Sequence, residues 1–180
     1  MTAGSIVKYS LSALVFAGLI SVLWWVQRGL RGKRTDNRAR EILYLLTVAY
    51  LAALIQITAL RLGLVSPHWL NGHLRPIPLE TTLAQARAGV WPFMYHTVGN
   101  MLWFIPLGGL LPALSQRFRI GKILLMAALL SLSIECMQFL LGTGVSDIDD
   151  VILNTLGALA GYGIYRLLRR VRHAKGHKPS

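Results

Sequence analysis

The sequence predicts an all-α protein, a polytopic transmembrane helical bundle of about five spans with its N-terminus out and its C-terminus in. Three observations carry this. Of 180 residues, 54% are hydrophobic and 14% charged, where soluble domains run to about 25% charged; mean hydropathy is +0.51. The apolar residues lie in blocks of roughly the 20 residues that a helix needs to cross the hydrocarbon core. The 19 Lys and Arg, against 7 Asp and Glu, gather in alternate connections, which is the positive-inside pattern. The net charge of +12 therefore reads as topology and not as nucleic-acid binding. A secreted disulfide scaffold is excluded because Cys136 is the single cysteine and sits in an apolar run.

The predicted spans are residues 6–26, 41–64, 97–114, 122–141 and 151–168. Span one ends on Trp24 and Trp25 at the inner interface. It has no strongly basic leading region and no small-residue cleavage site before Arg28, so an uncleaved first helix is expected. Its connection to span two holds Arg28, Arg31, Lys33, Arg34, Arg38 and Arg40. The long connection 65–96 holds only Arg75 and Arg87. Arg117, Arg119 and Lys122 follow span three, and residues 142–150 hold no Lys or Arg. Arg166, Arg169, Arg170, Arg172, Lys175 and Lys178 end the chain. The tally is fifteen on one side against two on the other, with Lys8 adding one to the poorer side.

In the outer connection, Pro67, Pro76, Pro78 and Pro92 break regular structure. Leu79, Leu83, Ala86 and Val90 have amphipathic helical spacing. With Trp69, Trp91 and Tyr95 nearby, this stretch suits either an interfacial helix or a loop packed over the bundle. In span three, Pro106 predicts a kink, with Gly108 and Gly109 following directly. In span five, Gly157 and Gly161 form a small-xxx-small pattern for close helix approach, within the chain or against a second copy.

Polar residues inside spans are costly and point to function. Arg61 lies three residues from the outer end of span two, roughly 4–5 Å deep. Span three begins near His96, Thr97 and Asn100. Span four carries Glu135 and Gln138, on one face at i, i+3. Span five follows Asp147, Asp149 and Asp150 and carries Asn154, four residues after Asp150. The expected candidate site is therefore an outer polar pocket of Arg61, Asn100, Glu135, Gln138, Asp147, Asp149, Asp150 and Asn154. Structural roles compete with this. Ser146 and Asp149 fit the S/T-x-x-D/E capping pattern, carboxylates favour helix N-termini, and Arg61 suits a buried ion pair.

Three kinds of chemistry fit such a cluster: oxygen ligation of Mg²⁺ or Ca²⁺, general acid–base work, and recognition of a polar head group with Arg61 or Arg75 on a phosphate. The catalytic residues, metal and cofactor stay open. His68, His73 and His96 are too irregularly spaced for a metal site, and neither a Ser-His-Asp arrangement nor a phosphate-binding loop is evident.

Three segments together resemble the VanZ-like family. Gly99-Asn100-Met101-Leu102-Trp103-Phe104-Ile105-Pro106-Leu107-Gly108 is similar to its GN-x-x-x-F-x-P-L-G signature. Glu135-Cys136-Met137-Gln138 is similar to its E-x-x-Q segment, and Asp147 through Gly157 resembles D-x-D-D-x-x-x-N-x-x-G. The resemblance divides the chain into residues 1–42, an N-terminal helix with a basic cytoplasmic loop; 43–165, the VanZ-like membrane domain; and 166–180, a basic cytoplasmic tail. The family often carries an Arg just before the acidic run. Here that stretch reads Thr143-Gly144-Val145-Ser146, so that role falls to Arg61 or is absent.

The resemblance implies a multi-pass protein of the bacterial cytoplasmic membrane. It also implies a link to teicoplanin, the lipid-bearing glycopeptide antibiotic of the family's founding member, but it supplies no reaction. The partners expected are the lipid bilayer and an envelope lipid or lipoglycopeptide, with no nucleic acid and with homo-oligomers open. The leading expectation is a non-enzymatic binder of an amphiphile. The alternative is a membrane-embedded, metal-dependent enzyme on a lipid-linked envelope substrate, and a small transporter ranks last.

Overall fold

The computed structural model describes residues 3–33, 37–60 and 73–176. Its helices are α1 (Ala3–Leu30), α2 (Arg38–Ile55), α3 (Glu80–Ala88), α4 (Val90–Leu114), α5 (Ile120–Leu141) and α6 (Ile148–Gly176). A π-helical turn, Gln56–Leu60, continues α2. Five stretches are long and apolar enough to cross a bilayer: Leu11–Leu30, Arg38–Leu60, Val90–Leu114, Ile120–Leu141 and Ile148–Arg172. The all-α polytopic architecture thus follows from the apolar blocks. Two three-residue strands, β1 (His73–Arg75) and β2 (Val145–Asp147), pair in parallel, which the sequence pattern does not anticipate.

The chain forms two compact units. One joins Met1–Pro76 with Leu132–Asp147, and the other joins Ile77–Ser131 with Ile148–Ser180.

In the first unit, α1 packs on α2 through small side chains: Ala13, Ala17 and Ala52 are buried. Small residues let helix backbones approach where no hydrophobic effect drives association. Asn37 starts α2, its side-chain oxygen accepting from the Arg40 N–H at 3.1 Å. Arg28 then ties the two helices, donating to Glu41 at 3.1 and 3.3 Å. Its guanidinium lies 4.4 Å from the Tyr44 ring centroid and 5.3 Å from that of Trp24. Deeper in, fully buried Gln56 donates to the Ser12 hydroxyl at 2.9 Å. Two carbonyls of the π-helical turn are taken by side chains. Gln138 Nε2 takes that of Thr58 at 2.9 Å, and the Thr143 hydroxyl takes that of Ala59 at 2.8 Å.

In the second unit, α4 and α6 run parallel with their backbones in close approach. A Cβ at Gly108 would collide with the Ala158 carbonyl oxygen, one at Gly157 with that of Met101, and one at Gly161 with that of Ile105. The small-residue face of α6 therefore packs within the chain. Helix α4 runs unbroken through Pro106 and Pro112. Phe104, Leu107, Leu111, Ile123, Ala127 and Ala158 form the core.

The short α3 covers Leu83 and Ala86, but Leu79 and Val90 of the expected stripe fall outside it. Leu79, Leu83 and Val90 are all exposed, so the stripe does not pack over the bundle. Cys136 is exposed on α5.

Candidate functional site

The polar residues singled out by the sequence fall into a cluster in each unit; Arg61 lies outside the described residues.

In the first unit, β1 lies beside β2 with Leu74 opposite Ser146 and Arg75 opposite Asp147. The Ser146 hydroxyl donates to the Glu135 carbonyl oxygen at 2.6 Å, and the Asp147 N–H donates to Glu135 Oε2 at 2.8 Å. All three residues are buried. A hydrogen bond to a charged acceptor contributes about 1.5–3 kcal/mol. Glu135 thus secures the last residues before α6, and Gln138 and Thr143 secure the end of α2. Ser146 spends its hydroxyl on Glu135, so it does not act through the capping pattern its spacing offers.

In the second unit, adjacent acids divide the work. Asp149 is 1% exposed and accepts from two backbone N–H groups at the start of α3, those of Leu79 and Thr82, the latter at 2.8 Å. Leu79 sits in the left-handed region at φ 66°, a conformation that costs a non-glycine residue about 1–2 kcal/mol. The Asp149 carboxylate offsets that cost while capping α3.

Asp150 is the more open acid. It sits in the first turn of α6, with its side chain 23% exposed. Asn100 Nδ2 donates to its Oδ1 at 2.6 Å, and His96 Nδ1 stands 3.8 Å from the same oxygen. His96 and Asn100 are one turn apart on α4, so both reach α6 from one face. The glycine contacts below them fix the helix separation on which that reach depends. Asn154, one turn further along α6, donates to the Ser131 hydroxyl at 2.8 Å.

On the facing helices α4 and α6, three polar atoms are buried with no hydrogen-bond partner among the described residues: His96 Nε2, Thr97 Oγ1 and Asn154 Oδ1. Such atoms cost about 1–3 kcal/mol each when left unmade, and they are what a polar ligand satisfies. His96 and Thr97 appear in the sequence as polar residues at the start of a span, but the approach of His96 to Asp150 depends on the α4–α6 register. Ser131 and Thr82 carried no sequence signal, and Leu79 stood out only as part of an amphipathic stripe.

Mg²⁺ and Ca²⁺ take six or more oxygen ligands. Among the described residues no three His, Cys, Asp or Glu side chains converge on one point, and Asp149 is already engaged by N–H donors. The unit has hydrogen-bonding and proton-exchanging groups at one helix end, an anion among them, and buried polar atoms still open.

A model of the VanZ/LLP1 family matches residues 38–169, and the chain belongs to that family. Helix α1 lies outside the match. Protein VanZ of Enterococcus faecium is 28% identical over 130 residues, covering 72% of this chain and 77% of that protein. No solved structure matches the chain significantly.

Proposed function

We propose that this VanZ-family membrane protein binds the polar head of an envelope lipid or amphiphile at the Asp150 end of α4 and α6. It thereby alters susceptibility to lipoglycopeptides such as teicoplanin. The observation that carries the proposal is the set of buried, unmatched polar atoms of His96, Thr97 and Asn154, on the turns of α4 and α6 next to a carboxylate that is 23% exposed. His96, Asn100, Asp150 and Asn154 face the ligand. Asp149, beside Asp150, holds the backbone at the start of α3. The charge asymmetry of the connections supports an outer position for this end in a bacterial cytoplasmic membrane, where a lipoglycopeptide arrives.

The test is susceptibility in a sensitive bacterium expressing wild type or Asp150→Asn at equal membrane levels. Protection against teicoplanin but not against vancomycin, which lacks the lipid tail, is expected from wild type and lost in Asp150→Asn. Wild type that is well expressed and gives no protection sinks the proposal.

A second reading has its own observation. His96 Nδ1 stands 3.8 Å from an Asp150 oxygen while Nε2 is buried and unmatched, and an imidazole beside a carboxylate suits proton transfer once a substrate draws the two together. The corresponding activity is that of a membrane-embedded enzyme on a lipid-linked envelope substrate. Product formation lost in His96→Gln, with ligand binding retained, distinguishes it from binding alone.

A further inference from the structure

The opposite end of the α4–α6 unit carries a second feature. An open groove of about 500 Å³ runs along one face of α6 beside the first residue of α5, Ile120. Leu159 and Leu167 make its apolar wall with Ile120, and all three are exposed. Tyr162 and Arg166 sit between the leucines, and Arg170 closes the far end. From Leu159 to Arg170 is eleven residues, about 16 Å at 1.5 Å per residue. Gly163 forms the floor, with open space where a side chain would stand.

We propose that this groove is a binding site for an anionic phospholipid, with an acyl chain along Leu159, Gly163 and Ile120 and the phosphate at Arg166 and Arg170. Depth supports it. Arg170 lies twenty-one residues beyond Asp149 on α6, about 31 Å along the axis, so it reaches the far boundary of a hydrocarbon core about 30 Å thick, with Arg166 one turn short of it, within reach of the head groups for a long side chain. The Leu159 end of the groove is then in hydrocarbon and the Arg170 end among head groups.

Charge supports it too. Arg166 donates to the Tyr162 hydroxyl at 3.2 Å, and neither it nor Arg170 has a carboxylate partner among the described residues. No Asp or Glu occurs after Asp150, and none lies in the first turn of α5. The first N–H groups of that 22-residue helix add their partial positive charge beside the groove. Basic pockets between transmembrane helices are where phospholipid head groups bind.

The site is tested by native mass spectrometry of the detergent-released full chain, titrated with phosphatidylglycerol or phosphatidylcholine. Wild type retains phosphatidylglycerol roughly tenfold better, and inorganic phosphate does not displace it. Arg166→Gln/Arg170→Gln abolishes the preference. Arg169→Gln/Arg172→Gln, with the same change in charge but off the groove, keeps it. Gly163→Leu fills the groove without touching charge and lowers retention of both lipids.

Equal loss in the two arginine pairs assigns the effect to diffuse surface charge and overturns the site. So does displacement by inorganic phosphate, which assigns it to a free anion. A lipid-free dimer broken by Gly163→Leu assigns the groove to a second copy and overturns it as well. Circular dichroism of each variant checks that the helices persist.

Discussion

Two helix pairs in this protein are held together by opposite means. Helices α1 and α2 are tied at one end by long side chains, Arg28 reaching Glu41 across the rings of Trp24 and Tyr44. Helices α4 and α6 meet backbone to backbone at Gly108, Gly157 and Gly161. A side-chain clasp tolerates small shifts of either helix, whereas a glycine contact does not. The second kind is therefore the one on which a site needing fixed geometry can be built, and His96, Asn100 and Asp150 stand at its end. The family match includes the glycine-packed pair and leaves out α1. The difference separates the packing that holds the proposed site from one that anchors an additional helix.

The comparison breaks first at the glycines. Gly157→Val places a branched side chain against the Met101 backbone. It should destabilise by about 3 kcal/mol or more, as overpacking does at its upper range. A melting curve in detergent should fall by roughly 5–10 °C. Gly163→Val, on the same helix but facing open space, should leave the curve close to wild type. Equal losses at the two positions would remove the backbone contact as the special feature.

Next comes Asp149. Asp149→Ala strips the acceptor from the Leu79 and Thr82 N–H groups and should cost about 1.5–3 kcal/mol. Amide exchange at the start of α3 should accelerate more than exchange within α4. The clasp follows with a smaller effect. Arg28→Lys keeps the charge but loses the planar fork and its stacking. It should cost about 1 kcal/mol, read as faster amide exchange at the paired ends of α1 and α2 and not at α6. The smallest structural effect belongs to Asp150→Asn, because the amide oxygen still accepts from Asn100. Its melting point should stay within a few degrees of wild type.

How much of this was legible in the sequence differs by kind. The five spans were, because apolar blocks of span length have few other uses. Residues 148–150 were placed outside span five, yet α6 begins at Ile148, since carboxylates are welcome in a first helical turn. The Gly157 and Gly161 spacing announced a close approach, but Met101 and Ile105 as its partners depend on register.

Local patterns misdirected where the true partner is distant. Ser146 and Asp149 have capping spacing, yet Ser146 serves Glu135 and Asp149 serves α3. The pairing of β1 with β2 was hidden for the same reason, three-residue strands being too short to show an alternation. Of the eight residues expected in the outer pocket, Glu135, Gln138 and Asp147 bond within the first unit, and Asn100, Asp149, Asp150 and Asn154 within the second. The i, i+4 spacing of His96 and Asn100 was the one signal that could have added His96.

The most direct test of the account sets neighbouring acids against each other. Asp149→Ala and Asp150→Asn are expressed in one teicoplanin-sensitive host, with membrane levels, melting points and susceptibility recorded for each. The account predicts that Asp149→Ala lowers the melting point and the membrane level together, and that Asp150→Asn leaves both unchanged while protection disappears. An Asp150→Asn protein that protects as wild type does at equal level would contradict the claim that the end of the α4–α6 pair is the functional site.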